Sequence, residues 1–282
     1  MADPVYVIGA SGRSGAALCR SLAEDGVPFV PVVRNRAKWP GEARVADLHD
    51  ASALRVGLRG AVRVVSCAHA RHVPAILAAA PAAASFVFLG STRKFTRWPD
   101  DHGRGVLDGE AAFLASGRPG VMLHPTMIYG AQGEDNVQRL AALLRCLPLV
   151  PLPGGGRALV QPIHQDDVTA AIRAALALAP AAPRSLVVAG PQPVAYADFV
   201  RAVAVAAGLK RPRFVALPAG VLRAAALASA LVPLLPTIRP AEIRRLLEDK
   251  AFDISPMITE LGVRSMPLAE GLARTFARPH NT

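Results

Sequence analysis

Cysteines, aromatics and long runs of a single character are what this 282-residue sequence has least of. Its three cysteines, Cys19, Cys67 and Cys146, are too few and too scattered for a disulfide framework or a metal cluster. Each lies in an apolar run, the usual setting of a buried structural thiol. No carboxylate–histidine spacing suggests a metal site, so none is expected. No block of like charge is longer than Lys210-Arg211 or Arg244-Arg245, which excludes a basic tail or arm. Residues 1–8 (MADPVYVI) run directly into structure with no basic n-region or apolar signal stretch, so a cytoplasmic location is expected. The most membrane-like segment, 217–235, is interrupted by Pro218, Arg223 and Pro233. It is expected as a core-facing helix with no transmembrane span.

Hydrophobic residues make up 52% of the chain, which excludes disorder and provides ample core for one large α/β unit or two intimate lobes. The net charge is +11, and residues 201–282, with 12 basic and 6 acidic groups, hold over half of it. Nearly all the cations are arginines, alongside abundant alanine, glycine and proline, as a compositional bias of the coding genome produces. Aromatics, at 5%, do not interleave with the arginines, so no nucleic-acid partner is expected.

Over the first 125 residues short apolar runs alternate with helical stretches, the pattern of a parallel sheet wrapped by helices. Val5–Ile8, Phe29–Val33, Val62–Ser66, Phe86–Leu89 and Val121–Leu123 are expected strands, and 14–24, 51–59, 71–80 and 105–116 expected helices. Beyond residue 125 the spacing predicts helices over 136–145 and 166–178, a Pro/Gly-rich loop over 148–156, and a short strand over 158–163. Residues 185–189 form one further strand, and 195–275 is mostly helical with an extended piece at 213–216. The fold class is therefore α/β: a Rossmann-type doubly wound parallel sheet with a smaller, mostly helical C-terminal substrate lobe. Residues 1–125 are expected to form the core, to which parts of 158–190 return, and 126–157 with 191–282 are expected to form the second lobe.

The strongest motif is Gly9-Ala10-Ser11-Gly12-Arg13-Ser14-Gly15, placed after the first strand and opening a helix. Glycines serve where the chain turns sharply, approaches a pyrophosphate and packs helix against strand. The helix N-terminus adds amides and a positive dipole for phosphate. The second strand ends at Val33-Arg34-Asn35-Arg36, with Lys38 just beyond, where NAD-selective sites carry an acidic residue for the ribose hydroxyls. Arg34, with Arg36 and Arg13 near it in sequence or motif, suits the additional phosphate of NADP, so NADP is expected over NAD. Asp47-Leu48 follows a third extended piece, where a carboxylate would bond the adenine amino group.

These residues resemble the short-chain dehydrogenase/reductase superfamily, in particular its extended and atypical branches. Those branches include nucleotide-sugar epimerases and dehydratases, NmrA-like proteins and the 39-kDa-subunit-like group of respiratory complex I. The glycine turn and Val33-Arg34-Asn35 carry the resemblance first. Further along, Val65-Ser66-Cys67-Ala68-His69 is similar to the fourth-strand end, and Phe88-Leu89-Gly90-Ser91-Thr92 to the fifth. His124-Pro125-Thr126-Met127-Ile128-Tyr129-Gly130 resembles the RPxxIYG segment with histidine for arginine. Gln161 to Val168 resembles QPVHVDDV, and Phe252 to Gly262 the terminal FDxSxxxxELG element. The resemblance implies an NADP-binding, epimerase/dehydratase-like oxidoreductase, with Cys67, Ala68 and His69 beside the cofactor's ribose and nicotinamide. It also makes a homodimer an expectation.

The family's Tyr-x-x-x-Lys pair is missing. The tyrosines are Tyr6, Tyr129 and Tyr196, and none has lysine four residues on. Anchoring on Glu110 sets His102 and Val106 at the two positions. Thr92, Ser91 beside it and His102 are then the candidate catalytic groups, the imidazole because it titrates near neutrality. By position in the family, Thr126, Asn136, Arg139, Arg157, Gln161 and His164 would line a small-molecule site, with Arg139 and Arg157 set to clamp the diphosphate of a nucleotide sugar. The alternative is a non-catalytic NADPH-binding subunit or redox sensor.

Overall fold

The computed structural model describes residues 3–130, 136–147, 149–218, 220 and 245–277. The expected helix over 217–235 lies almost wholly outside them. In chain order the first half runs β1 (Val5–Ile8), α1 (Arg13–Glu24), β2 (Phe29–Val33), β3 (Arg44–Val45), α2 (Ala51–Gly57), β4 (Arg63–Ser66), α3 (Val73–Ala79), β5 (Ser85–Leu89), α4 (Asp101–Ala115) and β6 (Gly120–Pro125). There follow β7 (Ile128–Tyr129), α5 (Asn136–Cys146), β8 (Leu149–Pro153), β9 (Leu159–Val160), β10 (Ile163–His164), α6 (Gln165–Leu178) and β11 (Pro183–Val188). The chain continues through β12 (Val194–Ala195), α7 (Tyr196–Ala206), β13 (Arg213–Leu217), α8 (Ser255–Leu261) and α9 (Leu268–Phe276).

Seven strands form one parallel sheet in the order β11-β6-β5-β4-β1-β2-β3, so the order reverses between β1 and β4. A doubly wound sheet binds ligands outside such a reversal, at the carboxyl ends of its strands. The central strands are buried on both faces, as their unbroken apolar runs require. One core lies between the sheet and α1, α6 and α8, and includes Val7, Leu18, Val65, Ile172 and Met257. The other lies between the sheet and α2, α3 and α4, and includes Ile8, Leu54, Ile76, Phe88 and Phe113. Helix α1 shows how sequence selects its face: Gly15, Leu18, Cys19 and Leu22 are buried at helical spacing while Arg13, Arg20, Ala23 and Glu24 are exposed.

Two expectations are corrected here. The Pro/Gly-rich stretch predicted as a loop contains strand β8, which pairs in parallel with β13 and buries Val150 and Leu152. Prolines at 151 and 153 are tolerated because a two-stranded ladder leaves one side of each strand without pairing demands. The single strand predicted over 158–163 is divided into β9 and β10, with Gln161-Pro162 between them, and the two halves pair with different partners, β12 and β7. A third, smaller core includes Tyr129, Val137, Phe199 and Leu272. No helix among the described residues is long and apolar enough to cross a membrane.

Candidate active site

At the end of β1, Gly9 turns the chain with φ +76°, a conformation that glycine adopts without strain. Its carbonyl accepts from the Gly12 amide at 2.9 Å, and α1 starts at Arg13. A Cβ at Gly15 would stand 2.1 Å from the Gly9 carbonyl oxygen, and one at Gly9 would stand 3.3 Å from the Ala68 amide nitrogen. Helix, turn and the loop after β4 therefore meet backbone to backbone. No side chain caps α1 and its first turn holds no acidic residue, so nothing on the helix itself offsets its positive end. Ser11, Gly12 and Arg13 are exposed around this end, while the Ser14 hydroxyl donates to Gln165 Oε1 at 3.1 Å and ties α1 to α6.

Arg34 is exposed just past β2 and has no hydrogen bond among the described residues. Arg36 instead donates to the Trp39 carbonyl at 2.7 Å. Asp47 spends one oxygen on the His49 amide at 2.9 Å, and Leu48 packs on the second core. Cys67 donates its amide to Ile8 at 3.0 Å, and burial pushes its thiol up to about 12, which makes it inert. His69 Nδ1 accepts from the Arg71 amide at 3.1 Å, which leaves the proton on Nε2, a buried atom beside the His102 main chain. Burial, then the charges of His102, Arg71 and His72, bring the pKa of His69 down to about 4.

Helix α4 begins four residues earlier than its apolar spacing predicts, because Asp100 caps it by accepting from the Gly103 amide at 2.8 Å. His102 thus stands in a helical first turn, half-buried, with its ring edge-on to His69 at a centroid distance of 4.3 Å. Glycines set this approach. A Cβ at Gly109 would lie 2.1 Å from the Ala70 carbonyl oxygen, and one at Gly105 would lie 3.0 Å from the His69 ring. The structure so brings the glycine turn, the β4 loop and the α4 first turn together. Ser91 and Thr92 are half-buried at the end of β5. Ser91 Oγ accepts from the Arg93 amide at 3.2 Å, and Thr92 Oγ1 donates to the Pro125 carbonyl at 3.3 Å.

Sequence reasoning missed a buried polar network beneath Ser91. His124, with 0% exposure, accepts from the Ser91 amide through Nδ1 at 3.2 Å. Its Nε2 lies 3.2 Å from Glu110 Oε1 and 3.0 Å from Ser185 Oγ. Lys94 Nζ holds both Glu110 oxygens, at 2.5 and 2.6 Å, and Ser185 Oγ donates to the same carboxylate. Burial would raise the Glu110 pKa, but the hydrogen bonds from Lys94 and Ser185 and the neighbouring charges hold it below the usual range. Burial, then the Lys94 charge, brings His124 down to about 4 against the pull of Glu110, so it is a neutral imidazole. The sequence signals were a histidine where the resembled segment has arginine, and one acidic residue on the buried face of α4.

The positions expected to line a substrate site fare differently from one another. Thr126 donates to the Gln161 carbonyl at 2.5 Å, and Gln161 donates to Gly190 and accepts from the Phe252 amide, both at 2.8 Å. Both residues are buried and spend their polar groups within the fold, so they shape a wall. Asn136 donates to the Ile128 carbonyl at 2.9 Å. Arg139 and Arg157 are exposed with no hydrogen bond among the described residues, and nothing draws them to the histidine pair. His164 caps α6 through Nδ1, packs edge-on to Tyr129, and keeps a buried Nε2 without a partner. Burial and the Asp167 charge raise the Tyr129 pKa, so that phenol stays protonated.

From the far end of the chain, residues 245–252 close over the α4 side of the site. Arg245 reaches Asp100 at 3.2 Å, and Asp100 also pairs with Arg93. Glu248 accepts from Thr96 Oγ1 at 2.8 Å and from the Arg97 amide at 2.6 Å.

No protein-family model and no curated protein matches the sequence. Solved structures share its fold across nearly the whole chain. The NADPH-dependent quinone oxidoreductase QOR2 of Escherichia coli, complexed with NADPH, is 19% identical, with a TM-score of 0.72 over 96% of this chain and 99% of that one. The UDP-glucose 4-epimerase of Thermus thermophilus, complexed with NAD, is 18% identical, with a TM-score of 0.71 over 97% of each chain. A short-chain dehydrogenase/reductase superfamily protein of Agrobacterium tumefaciens with bound NAD is 16% identical, with a TM-score of 0.70 over 96% and 95%. The chain has the fold of these proteins.

Proposed function

We propose that the chain is an NADP-binding oxidoreductase or epimerase/dehydratase-like enzyme of the short-chain dehydrogenase/reductase type, with His102 in the place of the absent tyrosine. The observation that carries this reading is the backbone cradle at an uncapped helix N-terminus, where a Cβ at Gly15 would lie 2.1 Å from a carbonyl. The amides of that turn and Arg13 would hold the diphosphate. Arg34 would hold the extra phosphate of NADP, since a free guanidinium stands where an acidic residue would repel it. Asp47 and Leu48 would face the adenine, and Cys67, Ala68 and His69 the second ribose.

A bound nicotinamide supplies two-electron chemistry at a substrate carbon. The chain supplies the proton step. His102 is shifted toward its neutral form by burial and by Arg93, so its imidazole takes the proton of a substrate hydroxyl and returns it in the reverse direction. Ser91 Oγ accepts from Arg93, which leaves its O–H to donate to the substrate oxygen. Thr92 gives its proton to Pro125 and offers lone pairs. A nucleotide sugar is the favoured substrate, with Arg139 and Arg157 as exposed cations for its diphosphate and with Thr126, Asn136, Gln161 and His164 shaping the wall.

NADPH is expected to raise the melting temperature more than NADH does, and Arg34→Ala to narrow the gap. Equal stabilisation by the two cofactors removes the Arg34 assignment, and no stabilisation by either removes the proposal. One observation favours the non-catalytic alternative: Val106, at the position of the pair's lysine, is 1% exposed and packed in the core, so no ammonium stands there. NADPH oxidation with nucleotide sugars, quinones or aldehydes, abolished in His102→Ala, decides for the enzyme. NADPH retained under all of them decides for the sensor.

A further inference from the structure

We infer that His69 and His102, with Arg71, Arg93 and Arg245 around them, form an anion pocket that receives a carboxylate or phosphate carried by the substrate close to its reacting carbon. The pocket stands on its own geometry; only its assignment to a substrate rests on the function proposed above.

The charges in this corner do not balance. Arg93 and Arg245 share one carboxylate, Asp100, whose other oxygen is committed to capping α4. Arg71 adds a third guanidinium, with its Nε 3.2 Å from His69 Nδ1. The other nearby carboxylates are already used: Asp101 by Arg104, Glu110 by Lys94, and Glu248 by Thr96 and the Arg97 amide. One donor is left over as well, since Arg93 Nε is buried without a partner.

The histidines register this excess. Burial lowers the pKa of His102, and Arg93, Arg71 and Arg245 lower it further against the opposing pull of Asp100. For His69, burial is joined by the charges of His102, Arg71 and His72. An anion seated here would accept from Arg93 Nε, offset the guanidiniums and favour the protonated imidazole. It would thereby couple the binding of a carbonyl substrate to loading His102 with the proton that the substrate oxygen takes up on reduction.

The test uses the full chain with saturating NADPH, and follows the histidine Cε1–H signals through a pH titration. Sulfate is compared with chloride at equal ionic strength, and acetate serves as a planar carboxylate. The His102 signal is assigned by its loss in His102→Gln. Sulfate or acetate is expected to raise the His102 midpoint by about one pH unit. Arg245→Gln and Arg93→Gln are each expected to weaken that effect about tenfold in anion concentration. Stronger action of sulfate marks a phosphate site, and of acetate a carboxylate site. His69 and His102 midpoints that ignore both anions overturn the pocket, as does an undiminished response in both folded arginine variants. NADPH fluorescence on the same samples separates the two ideas. Bound NADPH with no anion response removes the pocket alone, whereas an anion response without NADPH binding keeps the pocket and removes the dehydrogenase reading.

Discussion

Acid destabilises this fold through His124 in a way that one substitution isolates. The unfolded chain protonates this histidine near pH 6.5, whereas the folded chain, with the ring fully buried beside Lys94, resists until about pH 4. Between those values the unfolded state binds more protons, so stability is complete above pH 6.5 and falls as pH falls toward 4. At pH 5 the linkage amounts to about 2 kcal/mol relative to pH 7.5, and its full extent at lower pH is about 3 kcal/mol. Urea unfolding at pH 7.5 and pH 5 measures it. His124→Gln is expected to be less stable than wild type at pH 7.5, because the Ser91 amide and Glu110 lose a shaped partner. It is also expected to lose about 2 kcal/mol less than wild type on going to pH 5. The difference between the two proteins cancels His69, which titrates in the same window. An identical pH dependence in variant and wild type would refute the assignment of a buried neutral imidazole.

Gly15→Ala is expected to cost about 2–3 kcal/mol and to abolish stabilisation by NADPH, because its methyl group would press on the Gly9 carbonyl from 2.1 Å. Gly26→Ala, with φ +65° but open space around it, is the control, with a loss of about 1 kcal/mol in thermal unfolding and no effect on cofactor. Lys94→Met is expected to cost about 3 kcal/mol at pH 7, since it leaves the Glu110 carboxylate buried without its ammonium. That loss should shrink in urea melts at low pH, where Glu110 can take a proton.

The sheet was legible because its strands are buried on both faces and carry unbroken apolar runs, and because Gly9, Gly12 and Gly15 are spaced for a helix that rests on a strand. Boundaries were weaker where polar chemistry overrides apolar spacing. The start of α4 is set by the Asp100 cap, and placing it correctly puts His102 into a half-buried turn where the polar sequence around it suggests an exposed loop. The Pro/Gly composition of 148–156 concealed β8, because a two-stranded ladder tolerates prolines that a central strand excludes. The Lys94–Glu110–His124–Ser185 network was illegible because its members lie on four elements and a single sequence carries no distances. Arg245 was hidden for the same reason, since its contact with Asp100 joins residues 145 positions apart.

The glycines of α4 have a mechanical consequence. Side-chain interfaces are compliant, because rotamers and methyl groups can yield by tenths of an ångström when a neighbour shifts. At Gly109 the helix rests on the Ala70 carbonyl with no side chain between them. Such a contact behaves as a hard stop, so the interval from His69 to His102 is gauged by main chain. A variant that places a methyl group at residue 109 would therefore displace the whole helix start from the β4 loop, whereas a change in a core side chain would not.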